Sequence, residues 1–580
     1  MGFDGGWPPC LKTVYKECIV CGIIGIYTRR REGLEARAEA ALEAIGGRGP
    51  DSRKVLYSGM GRREGCYGAL GASRLAMVDV GGSHQPMETA DGRYRIAYNG
   101  ELWNYRDLRA EREAAGDVFS TRGDTEVVLN AVVREGPGAP IRFRGQFAYI
   151  VEDAREGVVH AGRDPHGICP FFYGKNEDGD LVIASIVPVL LENGVKGKDI
   201  RVLPQGYAFV YEMQSGHLSF HRYYDIATRL RGGGSCPDIV NLRETLVRII
   251  SEKIPLEVPY VTIVGGIDSS FVTAVCAEAS KLPECMITVS TTEDPGCSDV
   301  VNAGTLAGKF RIESRVSLVD EDYVEKNLER VVAALCSANY LEVLTGILGL
   351  RAAEMAAEAG AKAIITGGGS DELFGGYDFA WKMFEPERLE ENLLHVYRQS
   401  GIFECHREDA VCTSLGIEVR PAYYDTDLAE LILSLPASER IEGLGTETIT
   451  EKAILKRIAR GLLPDGIVDA RKAPFYRSTS IVGLFERVAE RAMSERDAER
   501  WRAEALKKNP ALARSMMMRG RGPVLVYKTF ASIYPGLDDL PCPMGPPDYG
   551  APDSYGRFYC FFGSPLLAGY RWRSACTEKW

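Results

Sequence analysis

The residues best suited to chemistry sit in two glycine turns. The first, Val264-Gly-Gly-Ile-Asp-Ser-Ser270, follows the β-branched run Val258-Pro-Tyr-Val-Thr-Ile-Val264. This pattern predicts a short strand ending on Gly265 and Gly266, then an apolar helix opened by Asp268, Ser269 and Ser270. Such a corner aims backbone N–H groups and a helix N-terminus at one point, which suits a phosphate. Alone, it reads as an ordinary strand–turn–helix corner. The second turn, Thr366-Gly-Gly-Gly-Ser-Asp-Glu-Leu-Phe-Gly-Gly-Tyr377, repeats the design after the strand Ala363-Ile-Ile365 and tips the balance toward a nucleotide site. No Gly-x4-Gly-Lys-Ser/Thr motif occurs, so lysine is not the expected phosphate partner. One acid from each turn, Asp268 and Asp371, can share a magnesium ion that holds a nucleotide's phosphates.

Together these segments resemble the pyrophosphate-binding half of glutamine-hydrolysing asparagine synthetases. That family activates a carboxylate as its adenylate, releases pyrophosphate and lets ammonia attack. The resemblance implies ATP and Mg2+ as cofactors. It places Gly265, Gly266, Asp268, Ser269 and Ser270 against the phosphates, and Val289, at the end of the next strand, with Thr366 and Gly367 against AMP. It also implies a catalytic lysine, Lys472 in Arg471-Lys-Ala-Pro-Phe-Tyr476, neutralising charge that builds as the adenylate forms. Glu418-Val-Arg420 and Asp425 follow a family block and read as structural ion pairing. Three positions depart from the family pattern. Val264 replaces a serine, Gly368 replaces an acid, and Asn339-Tyr-Leu-Glu-Val-Leu-Thr345 carries Glu342 where an arginine would grip aspartate. Losing a buried carboxylate partner costs on the order of 2–5 kcal/mol of affinity, and Glu342 is expected to repel an acidic acceptor.

The other half carries Cys21-Gly-Ile-Ile-Gly-Ile-Tyr27, Arg48-Gly-Pro-Asp51, Ser73-Arg-Leu-Ala-Met-Val-Asp79, His84-Gln-Pro-Met87, Tyr98-Asn-Gly-Glu-Leu-Trp-Asn-Tyr105, Gly123-Asp-Thr-Glu126 and Arg163-Asp-Pro-His-Gly-Ile168. Order and spacing resemble the class II glutamine amidotransferases. In that family the nucleophile is an N-terminal cysteine whose own α-amine serves as base. The resemblance assigns Cys21 to attack, and Asn99 with the Gly100 N–H to the oxyanion. Arg74 would take the glutamine α-carboxylate and Asp124 its α-ammonium, with Glu101 in the same binding set. Twenty residues precede Cys21, and Val20 fits a GTG initiator codon read as valine. The extension 1–20 is therefore expected to be absent from the mature protein, and the glutaminase to be inactive if it persists.

These residues need two kinds of scaffold. Residues 21–226 read as short strands, among them 22–27, 94–98, 147–151 and 206–211, with helices near 33–45 and 104–115. That predicts an α+β domain of stacked antiparallel sheets, of N-terminal-nucleophile type. Residues 227–238 contain the linker Arg231-Gly-Gly-Gly-Ser-Cys-Pro237. From 239 to 540 strands near 260, 286 and 363 alternate with helices, predicting an α/β parallel sheet of PP-loop type with a helical end beyond 380. Lys452-Ala-Ile-Leu-Lys-Arg-Ile-Ala-Arg460 reads as an amphipathic helix, and residues 541–580 as a disordered tail.

A chain of 580 residues, 45% hydrophobic and 26% charged, suits two or three soluble globular domains. A net charge of −11 argues against a nucleic-acid or anionic-membrane surface. Fifteen scattered cysteines suit a reducing cytoplasm. The expected partners are glutamine, ATP and a carboxylate acceptor, aspartate by default, and a homodimer is compatible. The leading reading is a glutamine-dependent, ATP-using amidotransferase, acting on aspartate or on another acceptor. Two alternatives stand beside it. One is intramolecular amide formation, as in β-lactam synthetases, with an idle glutaminase; the other is a non-catalytic paralogue.

Overall fold

A computed structural model describes residues 21–537 except 47, 50, 62–64, 231–237, 378–388, 402–403, 445, 447, 472–477, 509–519 and 536. Twelve strands form the first half: β1 (Gly22–Thr28), β2 (Ser52–Gly59), β3 (Tyr67–Arg74), β4 (Met87–Glu88), β5 (Tyr94–Leu102), β6 (Gly145–Asp153), β7 (Val158–Arg163), β8 (Phe172–Lys175), β9 (Leu181–Ala184), β10 (Arg201–Val202), β11 (Tyr207–Glu212) and β12 (His217–Arg222). They make two six-stranded sheets, ordered β10-β8-β9-β1-β3-β2 and β12-β11-β7-β6-β5-β4, with antiparallel pairing throughout.

The two-residue period of a strand explains their stacking. Ile23 and Tyr27 of β1 join Ala97, Ala148 and Ile150 of the second sheet in one core. Ile24 and Ile26 face the other way, onto the helix Leu34–Gly46. On the far side of the second sheet, Ile96 and Tyr98 pack against the helix Asp124–Glu135. That helix is absent from the sequence expectation. Its first turn, Asp124, Thr125 and Glu126, is buried, so its polar face does not mark solvent. Strand β5 also runs on to Leu102, which puts Asn99, Gly100 and Glu101 in a strand.

The second half holds a five-stranded parallel sheet, β13 (Tyr260–Ile263), β14 (Met286–Thr291), β15 (Ser314–Val319), β16 (Ala363–Thr366) and β17 (Glu418–Pro421). Its order is β15-β14-β13-β16-β17. Every residue of β14 and β16 is buried, as a sheet covered on both faces requires. Strand β17 adds a strand that the expectation of a helical end beyond 380 did not contain. Val289 lies inside β14, two residues before its end. The helix Ala453–Ala459 is buried on nearly every side, so it is a core helix and not an amphipathic one.

The two halves share a core. One apolar cluster runs from Leu34–Ile45 and Val187–Leu190 through the helices Glu321–Leu335 and Tyr340–Glu358. Among the described residues no single helix is long and apolar enough to cross a membrane.

Candidate active site

Strands β13 and β16 are parallel neighbours, paired Tyr260 to Ala363 and Thr262 to Ile365. Both glycine turns therefore leave the same edge of the sheet, at the carboxyl ends where parallel sheets bind ligands. They touch. A Cβ on Gly367 would lie 2.9 Å from the Ser269 amide nitrogen and 3.0 Å from Asp268 Cβ, so only glycine lets the second turn close on the first. Ser269 Oγ accepts from the Gly265 N–H at 2.9 Å and donates to the Gly266 carbonyl at 3.3 Å, fixing the loop. Ser270 Oγ is fully buried and has no hydrogen-bond partner among the described residues. Ser370 donates to Asp268 Oδ1 at 2.6 Å, and the Tyr423 hydroxyl donates to the Asp268 carbonyl at 3.0 Å.

A lysine lies between the two acids. Lys452 Nζ is 2.5 Å from Asp268 Oδ2 and also pairs with Asp371. The ammonium side chain is 1% exposed, the two carboxylates 14% and 17%. Lys452 sits at φ +54°, and Gly376 covers the pair so closely that a Cβ there would lie 1.8 Å from Asp371 Oδ1. Local spacing gave no sign of this cation. Among the described residues no group of three His, Cys, Asp or Glu side chains is arranged for a metal. Two carboxylates suit a magnesium ion only when phosphate oxygens and water complete its octahedron. Lys472 lies outside the described residues.

The three departures have structural accounts. Val264 is 2% exposed within an apolar cluster, its backbone tied to β14 through Ile287 and Thr288. Glu342 accepts two hydrogen bonds from Arg407 Nη1, at 3.0 and 2.9 Å. Its charge is thus neutralised, which corrects the expectation that it repels an acidic acceptor. A Cβ on Gly368 would lie 2.8 Å from Pro421 Cβ, so β17 packs where a side chain would go. Further acids crowd this turn. Glu404 accepts from the Gly369 N–H and the Tyr424 hydroxyl, and Glu408 from Thr366 Oγ1 at 3.1 Å. Glu372 accepts from the Tyr377 hydroxyl, and burial holds its carboxyl well above the usual range.

In the first half, Cys21 immediately precedes β1, and its Sγ accepts from the Leu75 N–H at 3.0 Å. Burial pushes the thiol up to about 12. Asn99 is 4% exposed and its Nδ2 has no partner among the described residues. Gly100 stands at φ +139°, where a Cβ would strike the Gln146 carbonyl at 2.0 Å. Arg74 is buried and donates to the carbonyls of Val78, Asp79 and Val80. Asp124 accepts from the Tyr98 hydroxyl and the Leu102 N–H, and burial pushes its carboxyl up to about 6. Glu101 pairs with Arg420.

Buried charges tie the halves together. Arg420, 1% exposed, holds Glu101 from the first half and Glu418 from its own strand, the latter at 2.8 Å. Arg48 donates to the Cys21 carbonyl and makes a two-pronged bond to Asp409 at 3.0 and 2.9 Å. Arg144 pairs with Asp425 at 2.9 Å. Between these ties lies a small cavity of about 20 Å3, room for one water-sized molecule, lined by Asn99 and Gln146 on one side and by Glu408, Glu418 and Pro421 on the other. Gln146 Oε1, like Asn99 Nδ2, has no partner among the described residues.

Known proteins match both halves. Residues 20–229 match the family model of the glutamine amidotransferase domain, and residues 241–400 and 385–519 match that of asparagine synthase. Asparagine synthetase B (glutamine-hydrolyzing) of Escherichia coli (strain K12) is 25% identical over 509 residues, covering 83% of this chain and 86% of its own. The Sandersonia aurantiaca asparagine synthetase is 25% identical over 436 residues, covering 72% and 78%. Asparagine synthetase 1 of Bacillus subtilis (strain 168) is 26% identical over 412 residues, covering 65% and 63%. An amidotransferase domain followed by an asparagine synthase domain, in the order the motifs predict, places this chain in the glutamine-hydrolysing asparagine synthetase family of ligases.

Proposed function

We propose that the first half hydrolyses glutamine and that the ammonia it frees attacks a carboxylate adenylated by ATP in the second half. The observation that carries this reading is the shared cavity. Its walls hold Asn99, assigned to the oxyanion, and Glu408, bonded to the Thr366 that opens the second glycine turn. Cys21 attacks the glutamine carboxamide once residues 1–20 are gone and its α-amine is free to act as base. Asn99 Nδ2, buried without a partner among the described residues, and the Gly100 N–H take the oxyanion. Arg74 and Asp124 hold the two ends of glutamine.

In the second half Gly265, Gly266, Ser269 and Ser270 take the pyrophosphate, and Val289, Thr366 and Gly367 lie against AMP. Asp268 and Asp371 would hold a magnesium ion, which neutralises charge on the leaving pyrophosphate. Lys452 supports these acids, and Lys472 keeps its expected role. One observation favours the idle-glutaminase alternative. A thiol near 12 is ionised in only about one molecule in 10^5 at pH 7.

ATP–pyrophosphate exchange across a panel of carboxylates tests the reading. Exchange is expected with at least one acceptor, and Asp268→Asn or Asp371→Asn should lower it about 100-fold while the fold survives. Folded variants with near-normal exchange would refute the phosphate role of both acids.

A further inference from the structure

Gly368 occupies the position where the family pattern carries an acid, and its surroundings say why no side chain is there. Besides the 2.8 Å approach to Pro421, a Cβ would lie 3.2 Å from Thr366 Oγ1 and 3.4 Å from Glu408 Oε2. The space is thus closed by a proline ring and faced by a carboxylate from another element. Glu408 belongs to the helix Glu404–Thr413, and its Oε2 accepts the Thr366 hydroxyl hydrogen at 3.1 Å. The same Thr366 oxygen accepts from the Gly368 N–H at 3.2 Å, so the carboxylate is held through one hydroxyl to the turn itself. Glu408 also lines the cavity that reaches Asn99, the path by which ammonia would arrive.

We propose that Glu408 is the catalytic base of amide formation, replacing from a neighbouring helix the acid that Gly368 lacks. The inference rests on the adenylation reading above. Ammonia forms a C–N bond to the acyl carbon of the adenylate, and the resulting nitrogen carries one proton too many. Glu408 takes that proton as its carboxylate becomes the neutral acid. The C–O bond to AMP then breaks, AMP leaves with its electron pair, and Glu408 later returns the proton to water. One amide, one AMP and one proton are produced for each ammonia consumed.

The surroundings suit a base working near neutrality. Burial and then the neighbouring Glu404 push the Glu408 carboxyl up to about 8. The other charges facing it are Arg407 and Asp409 on its own helix, Glu342 from the helix Tyr340–Glu358 and Glu418 from β17. A base of this pKa is ionised above pH 8, so the amide-forming rate should rise with pH through that value.

The test separates the two half-reactions. Hydroxylamine serves as nucleophile, since it stays unprotonated across this range and leaves enzyme groups to shape the profile. Glu408→Gln keeps an acceptor for Thr366 but cannot take a proton. Amide formation is expected to fall about 100-fold or more and to lose its rise near pH 8, while pyrophosphate exchange changes only severalfold. Glu408→Asp, which keeps the charge on a shorter arm, should fall less and retain the rise, and it replaces the Gln variant should that one melt early. An unchanged amide rate, an unchanged pH profile in the Gln variant, or equal loss of exchange and amidation overturns the proposal. Wild-type protein with no exchange on any carboxylate sinks the adenylation reading and this proposal with it.

Discussion

Lys452→Met isolates the cation between the two turns. Methionine matches the lysine stem in length and packs in its place, so the substitution removes charge and leaves little void. Two oxygens within hydrogen-bond reach of one nitrogen lie about 4–5 Å apart, where their bare repulsion is about 3–4 kcal/mol at an effective dielectric of about 20. Breaking one side of a buried ion pair costs about 3–5 kcal/mol. The carboxylates remain 14% and 17% exposed, which lets water screen part of this and favours about 3 kcal/mol. For about 300 residues that corresponds to a fall of about 4–6 °C in the melting transition of the second half. Removing one acid as well, in Lys452→Met with Asp371→Asn, should recover about half of the loss. Millimolar Mg2+ with pyrophosphate should raise the melting temperature of the single variant more than that of the wild type, because phosphate oxygens then complete the ion's octahedron where the ammonium stood. A variant melting within about 1 °C of wild type would show that the pair does not stabilise the turns. A clear loss that Mg2+ with pyrophosphate fails to offset would leave the ion pair intact as an idea and remove the metal from these acids.

Cys21→Ala should abolish glutamine-dependent turnover and leave turnover with added ammonium largely intact; equal loss with both nitrogen sources would contradict the division of labour between the halves. The mature protein should begin at Cys21, because a peptide-linked nitrogen cannot serve as base and the buried thiol sits near 12. Intact-mass measurement on natively expressed protein decides this, and glutaminase activity in protein that retains Met1 would overturn it.

The two glycine turns and the cysteine with its surrounding motifs were readable because each is a local event. Strand, glycine pair and helix opening follow within about ten residues, and the chemistry lies in that succession. Lys452 was not readable, since it meets Asp268 across 184 positions of chain. Arg420 meets Glu101 across 319 positions, and Glu408 meets Thr366 across 42. No spacing rule connects such pairs. Strand β17 hid for a related reason: Glu418-Val-Arg420 was legible as ion pairing, but two charges in three residues mask the apolar pattern of a buried strand. The helix Asp124–Glu135 hid because its polar first turn is buried as well.

The buried ties between the halves share a placement that local stability does not explain. Arg48 holds the carbonyl of Cys21 and grips Asp409, the residue after Glu408. Arg420 holds Glu101, the residue after Gly100, and belongs to the strand whose Pro421 fills the space at Gly368. Each tie thus joins a residue beside one half-site to a residue beside the other. Buried ion pairs contribute little net stability compared with apolar packing, but a mispaired one is strongly penalised. They therefore suit a junction that must dock in one register only. Apolar packing between the helices Leu34–Gly46 and Glu321–Leu335 can hold the halves together while tolerating small slips. The arginine ties cannot tolerate them, and a slip would misalign the two walls of the cavity between Asn99 and Glu408. On this reasoning, the charges at the junction fix the path between the half-sites, and the hydrophobic core supplies most of the adhesion.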